Sequence, residues 1–278
     1  MSNPDFPTMD EFFSRFVTAI RRSGQERAFL DKWGLNRLAD AGDILSEQVQ
    51  GGYESHKQTI FSGRTDGSIL NLGPGMGFCV FLLAEVFPRV FVAEPDGENC
   101  LILEKIAGAY LTGSRQLAGD IVRVLHAGLC ITPAAIDYWT AKQESMKKRH
   151  LKGSILNFNI AGAQELSTVL PEPVDRLYLH KVLSSLSIAA SFPQLLDIGR
   201  SFLAPGGELT WSEPGYIFRD ILQLNETIDM NEAFKPVFDP VGLDFELHTY
   251  TLKSPSPGRE AQEEWLMIRA WRQQHERE

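Results

Sequence analysis

Cysteine is scarce in this chain. Its three residues, Cys79, Cys100 and Cys130, are too few and too widely separated for a disulfide scaffold or a metal knuckle, and they read as reduced core thiols. Long apolar runs are missing too. No window approaches the uninterrupted length of a membrane span, and Met1 to Asp10 is polar without a cationic, apolar leader pattern, so the expected location is cytoplasmic with no membrane partner. Positive charge is in deficit. With 36 acidic against 27 basic residues and a pI near 5.3, the surface repels a phosphate backbone on average, which sets nucleic acid aside as a partner. The one basic cluster, Lys142 to Lys152, lacks interleaved aromatics and reads as a solvated helix end. His56, His126 and His248 have no ligand spacing, so no metal is expected.

What is present suits an enzyme of one large or two small domains: 278 residues, 43% of them apolar, enough for a continuous core. The most informative stretch is Ser68-Ile-Leu-Asn-Leu-Gly-Pro-Gly-Met-Gly-Phe78, followed by Arg89-Val-Phe-Val-Ala-Glu-Pro-Asp96. It reads as strand, glycine loop, helix, strand, carboxylate. The apolar run Ile69 to Leu72 has the length of a buried parallel strand, and Phe78 to Phe87 is apolar all round, as a short buried helix is. Gly73, Gly75 and Gly77 give the backbone freedom for the turn between them and keep Cβ atoms away from a bound nucleotide. Glu94 falls at the end of the next strand, where its carboxylate can accept hydrogen bonds from both hydroxyls of a ribose. This pairing predicts a nucleoside-bearing cofactor. A dinucleotide fingerprint would need a glycine at the position of Phe78.

The Gly-x-Gly-x-Gly spacing resembles the first motif of class I S-adenosylmethionine-dependent methyltransferases. Val174 to Leu186 resembles the fourth strand of that family and the helix leaving it. Ser201-Phe-Leu-Ala-Pro-Gly-Gly-Glu-Leu-Thr-Trp211 resembles its helix end, turn and fifth strand, and Leu243 to Leu252 with Trp265 to Trp271 its closing antiparallel pair. The motifs come in the family's order. The resemblance implies an α/β fold: a doubly wound, seven-stranded, mostly parallel sheet ending in an antiparallel pair. It also implies S-adenosylmethionine as the cofactor, with the loop wrapping its methionine part. The family usually carries an acid two residues before the first glycine, where this chain has Asn71; a neutral amide can orient the loop but supplies no counter-charge.

Further site residues follow from the same resemblance. Glu94 and Pro95 stand at the ribose, and Gly162, Ala163 and Gln164, after a third strand over Ser154 to Ile160, at the adenine, although Gln164 also suits a helix cap. Tyr53 reads either as a lid contact to the methionine end or as an amphipathic surface residue. His180, at the end of the fourth strand, is placed to contact the cofactor or to serve as general base, since imidazole titrates near neutral pH. Lys181 suits a substrate carboxylate or a solvated helix start, and Glu213 and Tyr216 face the substrate or form a structural turn. No Asn-Pro-Pro-Tyr type of motif follows the fourth strand, which favours a small-molecule acceptor.

Two regions exceed a minimal fold. Residues 5 to 64 carry helical periodicity in Phe12, Phe13, Phe16, Val17 and Ile20 and again in Phe29, Leu30, Trp33 and Leu38, predicting two or three helices over the carboxyl edge of the sheet. Gly51-Gly52 then leads into the sheet as a potential hinge. Asp96 to Tyr110 suits a crossover helix, so residues 111–152 read as a helical insertion packed on the core or on another subunit, as in a homodimer. The layout is thus a helical lid over 1–64 and a cofactor-binding domain over 65–278. Three activities stay open: methyl transfer to O or N of a small molecule, nicotianamine- or polyamine-synthase-like transfer of the aminocarboxypropyl arm of S-adenosylmethionine, and NAD(P)-dependent oxidoreduction.

Overall fold

A computed structural model of the chain describes residues 6–46, 52–87, 89–94, 97–112, 173–180, 196, 200–222, 228–253 and 262–272. Among the described residues the N-terminal region forms four helices, where two or three were expected: α1 (Met9–Arg22), α2 (Glu26–Trp33), α3 (Leu38–Ser46) and α4 (Tyr53–Phe61). Helix α1 starts in a capping box, with the Thr8 side chain accepting from the Glu11 amide and Glu11 accepting from Thr8 in return. Its buried residues, Phe12, Phe16, Ala19 and Ile20, fall on one face at helical spacing. Helix α2 ends where Gly34 turns left-handed at φ 63°. The additional helix is α4, which begins at Tyr53 directly after Gly52, where the sequence was read as leading into the sheet. Its buried residues include Ser55, His56 and Thr59, and so many polar side chains hide an inward face from any apolar pattern.

Next come β1 (Ser68–Leu72), α5 (Phe78–Ala84), β2 (Arg89–Ala93), α6 (Gly97–Thr112), β3 (Val174–His180) and β4 (Leu203–Pro214). The chain closes with α7 (Gly215–Leu222), α8 (Met230–Phe238), β5 (Leu243–Lys253) and β6 (Gln262–Arg272). The described strands form one six-stranded sheet in the order β2-β1-β3-β4-β6-β5, parallel from β2 to β4 and antiparallel for the last two pairings. The expected strand over Ser154 to Ile160, and with it the expected total of seven, lies outside the described residues, as does most of the inserted segment. The turn at Pro205-Gly206-Gly207 is taken up into β4, where the pairing with β3 shifts register between Val174 and Arg176.

Alternation along the strands builds two cores. Ile69, Val90, Val92 and Tyr178 pack with α1 to α6 on one face, whereas Leu70, Leu72, Phe91, Leu177, Leu179 and Trp211 pack with α7 and α8 on the other. On the first face, Arg176 takes hold of the end of α4. Its buried guanidinium donates to the carbonyls of Thr59, Ile60 and Arg64 at 2.5, 2.7 and 2.9 Å, satisfying acceptors that a helix C-terminus leaves open. This fixes α4 along the sheet, its C-terminus at the amino end of β3 and its first turn beside His180 at the carboxyl end. The strand order reverses between β1 and β3, so their carboxyl ends frame a crevice of the kind in which doubly wound sheets bind ligands.

Candidate functional site

The loop leaving β1 forms one wall of the crevice. Gly73, Gly75 and Gly77 have φ of 67°, 56° and 90°, a left-handed region that side-chain-bearing residues seldom occupy. Gly77 is also fixed by crowding, because a Cβ there would come within 2.5 Å of Leu103 on α6. Beneath the loop, the Asn71 amide donates to Cys79 Sγ at 2.9 Å, and the thiol donates to the Pro74 carbonyl at 3.4 Å. Asn71 thus ties β1 to α5 and the loop, facing inward and almost fully buried. Burial pushes the Cys79 thiol up to about 11, so it stays protonated at neutral pH as a hydrogen-bond link rather than a nucleophile.

Glu94 stands at the carboxyl end of β2 and is buried. Its Oε2 accepts from the Asn99 amide at 3.2 Å, and the same Asn99 nitrogen donates to the Gly75 carbonyl at 2.8 Å. One side chain in the first turn of α6 therefore sets the spacing between the carboxylate and the glycine loop. Asn99 had no motif to mark it. Its signal was only a short polar residue at the start of a helix, five positions beyond Glu94.

The other wall is a buried polar cluster under α4. The rings of His56 and His180 lie 3.9 Å apart, tilted by 33°, and His56 Nδ1 is 3.0 Å from the Tyr178 hydroxyl. His180 Nε2 is 3.3 Å from Ser55 Oγ, which is 3.2 Å from the Tyr250 hydroxyl, itself 2.6 Å from Ser212 Oγ. Trp265 stacks on His180 at 5.6 Å and on Tyr250 at 6.2 Å. Desolvation raises the Tyr178 and Tyr250 phenols, which keeps both as neutral hydroxyls able to donate or accept. His56 enters this cluster beside His180, whereas the sequence offered it only as an unmatched metal ligand. Ser55, Ser212 and Tyr250 were not legible as site residues.

The remaining expectations separate. The Tyr53 hydroxyl donates to the Pro7 carbonyl while its ring packs on Phe6, and burial pushes the phenol up to about 12. It is a buried link to the N-terminal segment, which excludes the surface reading. Glu213 is fully buried on the opposite face of β4 from Ser212, where Oε1 accepts from the Trp211 indole at 3.3 Å. Tyr216 on α7 is exposed. Pro95, Gly162, Ala163, Gln164 and Lys181 lie outside the described residues. No helix among the described residues is long and apolar enough to cross a membrane.

Neither a protein-family model nor a curated protein matches the chain. Among solved structures it is similar to the precorrin-6y C5,15-methyltransferase of Geobacter metallireducens, at 11% identity and a TM-score of 0.47 over 83% of this chain and 95% of that one. It is similar to the Bacillus cereus O-methyltransferase in complex with S-adenosylhomocysteine, at 12% identity and 0.45 over 92% and 90%. The N-methyltransferase NodS of Bradyrhizobium japonicum, also in complex with S-adenosylhomocysteine, is similar at 16% identity and 0.42 over 91% and 97%. All three are methyltransferases.

Proposed function

We propose that this chain binds S-adenosylmethionine in the crevice between β1 and β3 and transfers its methyl group to an O or N atom of a small-molecule acceptor. The observation that carries the reading is the Asn99 bridge, which holds a buried carboxylate and a left-handed glycine loop at one sheet edge. That donor and acceptor set fits the cofactor. Glu94 accepts from the ribose hydroxyls, the Gly73–Gly77 backbone admits the methionine arm without Cβ interference, and Asn71 holds the loop from below. Pro95 flanks the ribose and Gly162, Ala163 and Gln164 meet the adenine; Tyr53 braces the cover over the methionine end. The bound cofactor supplies an electrophilic methyl on a sulfonium, so the protein's work is alignment and removal of the acceptor's proton.

In this reading His180 takes that proton at its imidazole, with Ser55 orienting Nε2 and His56 and Trp265 holding the ring plane. Lys181 belongs to the acceptor side, whereas Glu213, on the other face of β4, and the exposed Tyr216 stand apart from the His180 cluster. Residues 1–64 act as a helical cover over the cofactor-binding unit of 65–278, and residues 111–152 shape the acceptor site. The acidic net charge favours a small neutral or cationic acceptor over a polyanion. A second reading, transfer of the aminocarboxypropyl arm, draws on Asn71, whose amide is engaged by Cys79 and leaves the cofactor ammonium without the usual carboxylate.

Product analysis decides between them. The full chain is incubated with S-adenosylmethionine and a fractionated small-molecule extract. Methyl transfer releases S-adenosylhomocysteine in the fractions that hold the acceptor, whereas arm transfer releases methylthioadenosine. Release of neither in any fraction, with NAD(P)H consumed instead, contradicts the proposal.

A further inference from the structure

The side of the glycine loop that faces away from the sheet is covered by an indole. Trp33 is the last residue of α2, and Gly34 turns the chain away directly after it. A Cβ placed on Gly75 would lie 3.8 Å from Trp33 Cη2. The end of α2 is anchored there by Lys32, whose Nζ is 3.2 Å from the carboxylate of Glu98 in the first turn of α6. The next residue of α6 is Asn99, which holds the Gly75 carbonyl. Helix α2, the loop and α6 thus form one bracket around Gly75.

Trp33 Nε1 is buried and has no hydrogen-bond acceptor among the described residues. An indole nitrogen only donates, and a buried donor left without an acceptor is uncommon because it forfeits its bond to water. The Gly75 carbonyl, in the loop that the ring meets, accepts from Asn99.

We infer that Trp33 is a cofactor-contacting residue. Its ring forms the wall facing Gly75, and its N–H donates to the carboxylate of the amino-acid arm lying along the loop. The inference rests on the S-adenosylmethionine reading above and extends it to a residue of the N-terminal helices that no glycine-loop motif contains. It also gives those helices a part in ligand selection, because the arm is then gripped between β1 and α2.

The test is calorimetry on the full chain with S-adenosylhomocysteine, which has the arm, and with methylthioadenosine, which lacks it, comparing wild type with Trp33→Phe. Phenylalanine keeps an aromatic wall and removes the donor. The expected result is about a tenfold loss of affinity for S-adenosylhomocysteine with methylthioadenosine affinity unchanged, because only the armed ligand loses a hydrogen bond. Equal affinity of both proteins for S-adenosylhomocysteine overturns the role of Trp33 and leaves the cofactor assignment standing. Equal weakening of both ligands also overturns it, since it shows that the ring merely supports the loop. If wild-type protein binds neither ligand, the cofactor reading falls and this inference with it. Should Trp33→Phe melt well below wild type, Trp33→His, a smaller ring that retains an N–H, replaces it, and the inference then requires the armed ligand's affinity to be kept.

Discussion

The side-chain amide of Asn99 donates to the backbone carbonyl of Gly75 at 2.8 Å, joining two residues 24 positions apart at the crevice. Because the same nitrogen reaches Glu94, Asn99 converts two separate elements into one rigid frame for a ligand. Asn99→Ala should lower stability by about 1–3 kcal/mol, because it leaves the Gly75 carbonyl and buried Glu94 without this donor, and should weaken S-adenosylhomocysteine by about tenfold, or ~1.4 kcal/mol, by releasing the loop. Calorimetry checks this. Unchanged affinity would mean that the loop holds its shape without the bridge.

Arg176 is the residue on which the placement of α4 depends. Besides the carbonyls at the end of α4, it donates to Thr210 Oγ1 at 2.8 Å and stands 3.5 Å from Glu208, which also accepts from Arg269 at 2.7 Å. Arg176→Met should cost about 3–5 kcal/mol, because it leaves buried acceptors and part of the Glu208 charge without their donor. Arg176→Lys should recover only part of this, since an ammonium cannot reproduce the planar fork. Urea denaturation reads both. A loss below about 1 kcal/mol in the Met variant would show that water replaces the guanidinium.

Alkali should destabilise the fold in a defined window. Burial raises the phenols of Tyr53, to about 12, and of Tyr110, Tyr178 and Tyr250, and raises the Cys79 thiol to about 11. Groups with raised folded-state values contribute stability that is fully present below the unfolded values, 9 for the thiol and 10 for the phenols, and is lost as pH rises through the folded ones. Stability measured by urea should therefore hold from neutral pH to about 9 and fall steadily above it. Absorbance titration should show the buried phenols ionising only with unfolding. Reversible titration of all tyrosines near pH 10 in folded protein would contradict the burial described here.

The start of the parallel sheet was legible because Ile69–Leu72 is a short apolar run bounded by turn residues and Arg89–Ala93 follows it within one local unit, whereas Val174–His180 and the closing pair were legible through their resemblance to the family's motifs. The glycine loop and Glu94 were legible through spacing within one local unit. Helix α4 was not, because Ser55, His56 and Thr59 turn polar side chains inward and break the apolar period. The second wall of the crevice was hidden for a related reason. Ser55 meets Tyr250 across 195 positions and His180 across 125, so their proximity exists only once Arg176 has laid α4 along the sheet. Trp33 read correctly as one of a helical apolar set, but its contact with Gly75 is a tertiary one between α2 and the loop that no motif marks.

The central claim is that Glu94 and the glycine loop hold S-adenosylmethionine. Its most direct test is isothermal titration of wild type and Glu94→Gln with S-adenosylhomocysteine and with NAD. We expect wild type to bind S-adenosylhomocysteine and not NAD, and Glu94→Gln to lose about 2–4 kcal/mol of binding, because a neutral amide replaces the charged acceptor of both ribose hydroxyls. Binding of NAD in preference to S-adenosylhomocysteine, or full affinity in the Glu94→Gln variant, would contradict the claim.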